Sequence, residues 1–590
     1  MGRTLIKASF LIFLFVAAGF IAYATFISMS LSSTVLGMNG ENFIALNAQS
    51  ARARVTHPAK NSSLYYQFTT NQRTHIMNRI QKNGGAAIQA TIKILGRHAN
   101  LKGEKPFEFG FLYNKDGDIV LGTNVVKGDF AQLVSNGQDA VSLSMCISDA
   151  ASVPSGFFVH GLLPYELAEI RLVDMKIGWD KSSSIALYAF GIHGGDVTAV
   201  TGESFDAAEG AALFSPVDKN QPLPKIIVGL KPVQSIGTVE KQKTLTFYYG
   251  NEELSVRRSY SQTSVTLQLA GLESDYDVLK CADPSEIVSV MLVENETKLN
   301  ADKVGRVYYP LVTDLGLIVH WPQHKWRTPD YELFEWEEIP HVLFFDFADY
   351  DIQSAFLTRL AYFVEKAGYK GKLVSDNFVA THHGYNAHDY KAKDLAAFFT
   401  TASLQNFHLN AREILLRDIL IKNNVIIEEK DGTYAEGIGA VISFSRQSTD
   451  NLRWQFLAHE SWHGIFFTNE AFRHKVSLLY NSFDDTSLEF IKTFWETQNG
   501  LNYDREDDYL MRNEFMAYIM QQRYSAIGDY FVSLANRWSV KQNEPELAAY
   551  VRNTNAVHFV QAGKELNEYA FNNFGFAAGR VHLIYRSSRD

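Results

Sequence analysis

The sequence predicts a multidomain chain in which all-β sandwich modules precede an α+β, mostly helical domain. Three observations predict it. At 590 residues the chain is too long for one core. Alternating apolar and polar runs, separated by turn residues, recur from about 61 to 320. Near 330 the period changes, and helix-length amphipathic segments take over.

The N-terminus comes first. Arg3 and Lys7 precede an apolar run, Phe10 to Ala22, and Ala22-Tyr23-Ala24 offers a small-x-small cleavage site. Residues 1–30 therefore predict a signal peptide cleaved after Ala24. If the run extends to Met29 they predict an uncleaved membrane anchor instead. Either way the body of the protein is expected outside the cytoplasm, secreted, periplasmic or anchored. Residues 31–60 predict a linker.

A β-sandwich domain is expected over 61–215. Phe107 to Tyr113 and Asp118 to Gly122 flank Asn114-Lys115-Asp116-Gly117, a hairpin signal. A second, smaller β domain is expected over 225–320, after the Pro-containing stretch 216–224. Aromatic β-sandwiches can bind a glycan or a surface protein, although aromatics also serve as sandwich core. Asn295-Glu296-Thr297 fits an N-glycosylation acceptor. The only two cysteines, Cys146 and Cys281, exclude a disulfide framework and leave either one bridge or two buried thiols. With a net charge of -10 and no long basic run, nucleic acid is excluded as a partner.

Residues 330–590 predict the α/β plus helical domain. His341 to Phe347 predicts a buried strand, Ile352 to Ala367 a helix, and Gly371 to Ser375 a short strand. Thr381 to Tyr390 holds His382, His383, His388 and Asp389. These four could form a second metal or substrate site. The plainer reading is a polar loop, with Asp389 capping a helix that starts near Lys391. Val425 to Glu428 and Gly439 to Ser445 predict a hairpin.

Phe456 to Phe467 contains His459-Glu460-Ser461-Trp462-His463. Residues four apart share a helix face, so His459 and His463 can aim two imidazoles at one metal ion. Glu460 points aside, where it can take a proton from water. Gly464 leaves room for another segment to approach. Downstream, Glu514 shares an apolar helix face with Met511, Ala517 and Tyr518, and a carboxylate there needs a reason.

Here the chain resembles the gluzincin zinc metallopeptidases, the thermolysin-like clan. His-Glu-x-x-His at 459–463 and Asn-Glu-x-x-Ala at 513–517 match that pattern, and the resemblance covers roughly 425–525. It implies a zincin-like fold, Zn2+ held by His459, His463 and Glu514, and Glu460 as general base in peptide hydrolysis. Peptides or proteins would be the substrates. By the same resemblance, 438–445 would be the edge strand that pairs with substrate. Thermolysin ends its second motif with an Asp that steadies a zinc-bound His, and Tyr518 stands there in this chain. Tyr503 and Tyr509 are candidates to stabilise the oxyanion, with His582 a weaker one. A rival reading is a cell-surface β-sandwich binding protein with a structural or vestigial zinc site. The change of period near 330 also predicts that 330–590 folds and acts alone on short peptides.

Overall fold

A computed structural model describes residues 33–38, 43–46, 62–94, 106–115, 118–129, 140–147, 151, 153–161, 165–176, 179–180, 185–189, 225–233, 235–273, 278–282, 286–293, 299–382, 384–498, 501 and 503–588. The expected signal or anchor segment, most of the linker, the Asn295 acceptor and His383 lie outside the described residues. No helix among the described residues is long and apolar enough to cross a membrane.

Several β-sheets make up the N-terminal part. In chain order the strands are β1 (Ser33–Met38), β2 (Phe43–Leu46), β3 (Ser62–Gln67), β4 (Gly84–Ile94), β5 (Pro106–Lys115), β6 (Asp118–Asp129), β7 (Ala140–Ile147), β8 (Gly156–Gly161) and β9 (Tyr165–Lys176). They continue as β10 (Trp179–Asp180), β11 (Ile185–Ala189), β12 (Lys225–Leu230), β13 (Thr244–Tyr249), β14 (Glu252–Arg257), β15 (Ser264–Gln268), β16 (Val278–Cys281) and β17 (Ile287–Val293). The turn signal at 114–117 joins β5 and β6, which pair antiparallel with Lys115 opposite Asp118. One helix, α1 (Thr70–Asn83), interrupts the strands and was not expected from the sequence.

A seven-stranded sheet runs β1-β9-β4-β7-β17-β12-β15, and a five-stranded one runs β2-β3-β8-β5-β6. Alternation along the strands drives them together. Ile88, Met145 and Leu172 from the first share a core with Tyr66, Phe111 and Phe157 from the second, and α1 adds Ile76 and Ile80. The seven-stranded sheet ignores the expected boundary at 215–225, because β7 pairs β17 with Cys146 opposite Val290. Cys281 is buried and outside any disulfide, so no bridge joins it to Cys146.

The C-terminal region is helical around one mixed sheet. Its elements are β18 (Leu311–Thr313), β19 (Tyr331–Trp336), β20 (Val342–Phe347), α2 (Tyr350–Val364), β21 (His388–Lys391), α3 (Ala392–Leu404), α4 (Ala411–Lys422), β22 (Ile426–Glu428), β23 (Tyr434–Glu436) and β24 (Ala440–Ser445). Helices α5 (Asp450–Thr468), α6 (Glu470–Asn481), α7 (Asp485–Thr497), α8 (Asp508–Met520), α9 (Ile527–Asn536), α10 (Pro545–Asn553) and α11 (Val557–Phe574) follow, then β25 (Ile584–Ser588). The sheet order is β18-β19-β20-β24-β21. Two expectations fail here. The hairpin joins β22 to β23, not to 439–445, and 372–375 is not a strand.

The expected boundary near 330 is crossed too. β25 pairs antiparallel with β14, placing Ile584 opposite Val256, and completes the sheet β10-β11-β16-β13-β14-β25. Phe247 and Leu254 share one core with Phe444, Leu457, Trp462 and Ile584. A fragment beginning at 330 would expose that apolar surface. It would also leave β25 without its partner, so it is not expected to fold alone.

Gly316 shows how tightly this junction closes. A Cβ there would lie 1.8 Å from the Ile584 carbonyl oxygen. Gly316→Ala is therefore expected to lower stability by at least about 2 kcal/mol, measured as a fall in the denaturant midpoint. An unchanged midpoint would show that β25 docks loosely.

Candidate metal centre

Helix α5 lies on the sheet because Gly464 permits it. A Cβ there would already come within 3.1 Å of Val342 Cγ1 on β20. Trp462, fully buried, fixes the helix from within the core. Helix α8 starts at Asp507, whose carboxylate accepts from Tyr509 N at 3.1 Å and Leu510 N at 3.2 Å. The two helices pack with Ala517 completely buried, as its small size allows.

This packing brings His459, His463 and Glu514 together. Their ligand atoms all lie within 4.8 Å of one another. His459 Nε2 is 3.7 Å from Glu514 Oε2, and His463 Nε2 is 3.7 Å from Glu514 Oε1. The imidazoles stand nearly perpendicular, with centroids 4.7 Å apart. His463 is wholly buried and His459 only 13% exposed.

Buried polar groups are normally hydrogen-bonded. Here His459 Nδ1, both ring nitrogens of His463 and Glu514 Oε2 have no hydrogen-bond partner. Burial pushes His463 down to about 4 and His459 well below the usual imidazole range, with the neighbouring His463 adding to the second shift. Burial, helped by Asp389, pushes Glu514 well above the carboxylate range. His463 Nε2 and Glu514 Oε2, turned toward His459 Nε2 and left unpartnered in a buried site, fit a bound cation, which would supply a partner for both.

No family model matches the chain, and no curated protein matches it. Similar solved structures include the binding domain of Botulinum Neurotoxin DC in complex with SialylT and the same domain in complex with rat synaptotagmin II. Each is 8% identical, covers 45% of this chain and 90% or 91% of its own length, and has a TM-score of 0.14. The structure titled HCR/D-Sa-GBL1/C is 9% identical over 46% of this chain and 92% of its own, again at a TM-score of 0.14. At that score the likeness carries no argument about this chain.

A cavity of about 710 Å³ opens on the cluster, and Glu365, Tyr385, Asp389, His459, Glu460 and Tyr503 contribute to its lining. Burial pushes the Glu460 carboxyl well above its usual range, and Asp389, Glu514 and Glu365 reinforce the shift. Asp389 forms a second group with Glu460 and His463. Its Oδ2 lies 3.7 Å from His463 Nδ1 and accepts from Asn513 Nδ2 at 3.4 Å. Asp389 therefore faces the ring nitrogen opposite the one turned to Glu514. Tyr518 packs its ring 5.3 Å from that of His459.

Asp389 does not cap a helix, since it sits in β21 and the following helix has Lys391 at its N-cap. Among the described residues, His382, His388 and Asp389 form no metal-ligand group together, so the alternative of a second site there finds no support. His382 is exposed and stacks on Phe378 at 3.8 Å, while His388 is buried with Nδ1 2.8 Å from the Tyr390 hydroxyl. Alternation in His388-Asp389-Tyr390, with the outer two buried, was the available signal for a strand that turns Asp389 the other way.

Two further expectations are corrected. Strand 440–445 is not an edge. It lies between β20 and β21 with every residue buried, so β21 forms the edge beside the cavity. Of the phenols, Tyr503 lines the main cavity. Tyr509 instead stacks on Phe467 at a centroid distance of 6.5 Å under the Lys391 ammonium, and lines a separate cavity of about 310 Å³. Being close to a motif in sequence did not aim its ring at His459, His463 and Glu514. His582 also lies outside the main cavity, packed 5.0 Å from the Trp454 ring.

Proposed function

We propose that the chain is an exported zinc metallopeptidase that hydrolyses peptide bonds in peptide or protein substrates. The observation that carries this reading is the convergence of His459, His463 and Glu514, from two packed helices, with His463 Nε2 and Glu514 Oε2 left unpartnered. In this reading they hold Zn2+ within a zincin-like domain, in the pattern the two motifs share with gluzincins. When bound, the metal polarises the scissile carbonyl and lowers the pKa of water at the site.

The chain's own residues supply the rest. Glu460 takes the proton of the attacking water and hands it to the leaving amine. Asp389 holds the tautomer and orientation of His463 through Nδ1. Gly384 to Ala387 and Asp389 form one wall of the cavity. An extended substrate can add to the free edge of β21 by main-chain bonds, with the cavity receiving its side chains. Tyr503, one of the phenols lining the cavity, is assigned to the developing oxyanion in this reading.

The test is the zinc content of the purified protein, together with cleavage of a mixed peptide library with and without a chelator. Stoichiometric zinc and chelator-sensitive cleavage are expected. A zinc-free protein, or cleavage indifferent to chelation, would sink the reading. The steadying role of Asp389 has its own check. Asp389→Ala should weaken zinc binding by about 10-fold or more in competition with a chelator, with the fold intact. Undiminished affinity would mean that His463 needs no support from β21.

A further inference from the structure

Behind the cavity the segment Gly579–Leu583 passes between two others. At one end Gly579 N donates to Met520 O at 2.6 Å, and a Cβ on Gly579 would meet Arg523 N at 2.7 Å. At the other, Arg257 N donates to Leu583 O at 2.8 Å, beside the β14–β25 ladder. The segment itself carries Arg580 and His582. The backbone of this segment thereby lies against those of Arg257 and Arg523, where the helical region, β14 and β25 meet, and the Arg257 and Arg523 charges act on Arg580.

The cluster has no contact ion pair among the described residues. Among the described residues, no carboxylate lies within salt-bridge distance of Arg257, Arg523 or Arg580. Arg257 Nη1 has no hydrogen-bond partner among the described residues. The guanidinium lies 5.9 Å from the centre of the Tyr585 ring, with Nη1 buried. Arg580 gives Nη2 to Gln242 Oε1 at 2.6 Å and keeps a buried Nε without a partner. His582 is 7% exposed and keeps a buried Nδ1 without a partner. The acid that acts on Arg257 is Asp314, and it is committed elsewhere. Its oxygens accept from Gly316 N, Leu583 N and Ile584 N.

Burying like charges together without an anion is costly, and an unpaired buried donor costs more again. Burial and the mutual repulsion of the guanidiniums hold Arg580 down at about 10. Burial, with Arg257 and Arg580 nearby, holds His582 at about 3, so at neutral pH it is an uncharged donor-acceptor ring. Arginine forks match planar or tetrahedral oxyanions bidentately.

We propose that Arg257, Arg523, Arg580 and His582 form a binding site for a compact oxyanion, a phosphate group or a carboxylate. The anion closes the seam between β14, the turn after α8 and the segment leading into β25. It therefore stabilises the docked C-terminal strand. The site shares a wall with the cavity. Trp454 packs on His582, and the adjacent Gln455 lines the cavity and donates to Gln521 Oε1 at 3.2 Å.

The test titrates the whole protein with inorganic phosphate and, separately, with acetate. Chloride holds the ionic strength constant, and calorimetry and the melting temperature are read. At least one ion should bind saturably and raise the melting temperature by mass action on the folded state. Phosphate binding without acetate binding assigns a phosphoryl ligand, and binding of acetate assigns a carboxylate. Arg257→Gln and Arg523→Gln should each weaken that binding by about 10-fold or more. Arg523 is exposed, so its variant should fold even if the other does not. If neither ion saturates, or if Arg523→Gln binds as tightly as the unaltered protein, the assignment is overturned.

Discussion

Glu460→Gln is expected to lower peptide hydrolysis by about 10²-fold or more while zinc content and melting temperature stay close to those of the unaltered protein. The amide keeps the size of the carboxylate and most of its hydrogen bonding, but it cannot carry a proton from water to the leaving amine. Glu460 is 5% exposed and one of its oxygens is buried without a partner, so its side chain is not holding the fold together through a saturated network. Replacing a buried carboxylate beside Asp389, Glu514 and Glu365 relieves repulsion, so stability should hold or rise. Rates from initial velocities under saturating zinc decide the matter. Hydrolysis at the unaltered rate would remove Glu460 from the mechanism.

Glu514→Ala attacks the centre itself. Zinc occupancy after dialysis should fall by at least about 10-fold, and hydrolysis should fall with it. The carboxylate is the one group within 3.7 Å of a ring nitrogen on both histidines, so no neighbour can replace it without moving a helix. Adding excess zinc should restore part of the activity, because His459 and His463 remain. Full zinc occupancy in the variant would mean that the metal is held elsewhere, with the Asp389, Glu460 and His463 group the first place to look.

Much of the centre was legible in the sequence because helices impose short, fixed spacings. His459 and His463 are four apart, and Glu514 lies on an apolar face with Ala517, so one face of each helix could be read directly. Strand positions in the β part were legible for the same reason, as with Asp118 to Gly122 inside β6. What was lost depended on pairing across distance. A short apolar run says that 440–445 is a strand but not which strands flank it, so the edge was assigned to the wrong one. Cys146 opposite Val290 and Val256 opposite Ile584 leave no local trace either, which is why the boundaries near 220 and 330 looked clean. Asp389 was legible only as a member of a histidine-rich stretch or as a helix cap. Its partner, His463, lies on another element, and no spacing connects the two. Tyr509 failed for the opposite reason, since nearness in sequence to Glu514 says nothing about where its ring points.

The pairing of β25 with β14 also sets a timetable. Strand Glu252–Arg257 is synthesised more than three hundred residues before Ile584–Ser588. At about 5–20 residues per second, the ribosome needs roughly 15 to 60 s to deliver the partner. Throughout that interval β14 stands as an open edge, ready to accept a strand from a neighbouring nascent chain. Yield in cells should therefore track how well that edge is shielded during translation, and a holdase chaperone should matter more to this protein than its finished surface would suggest.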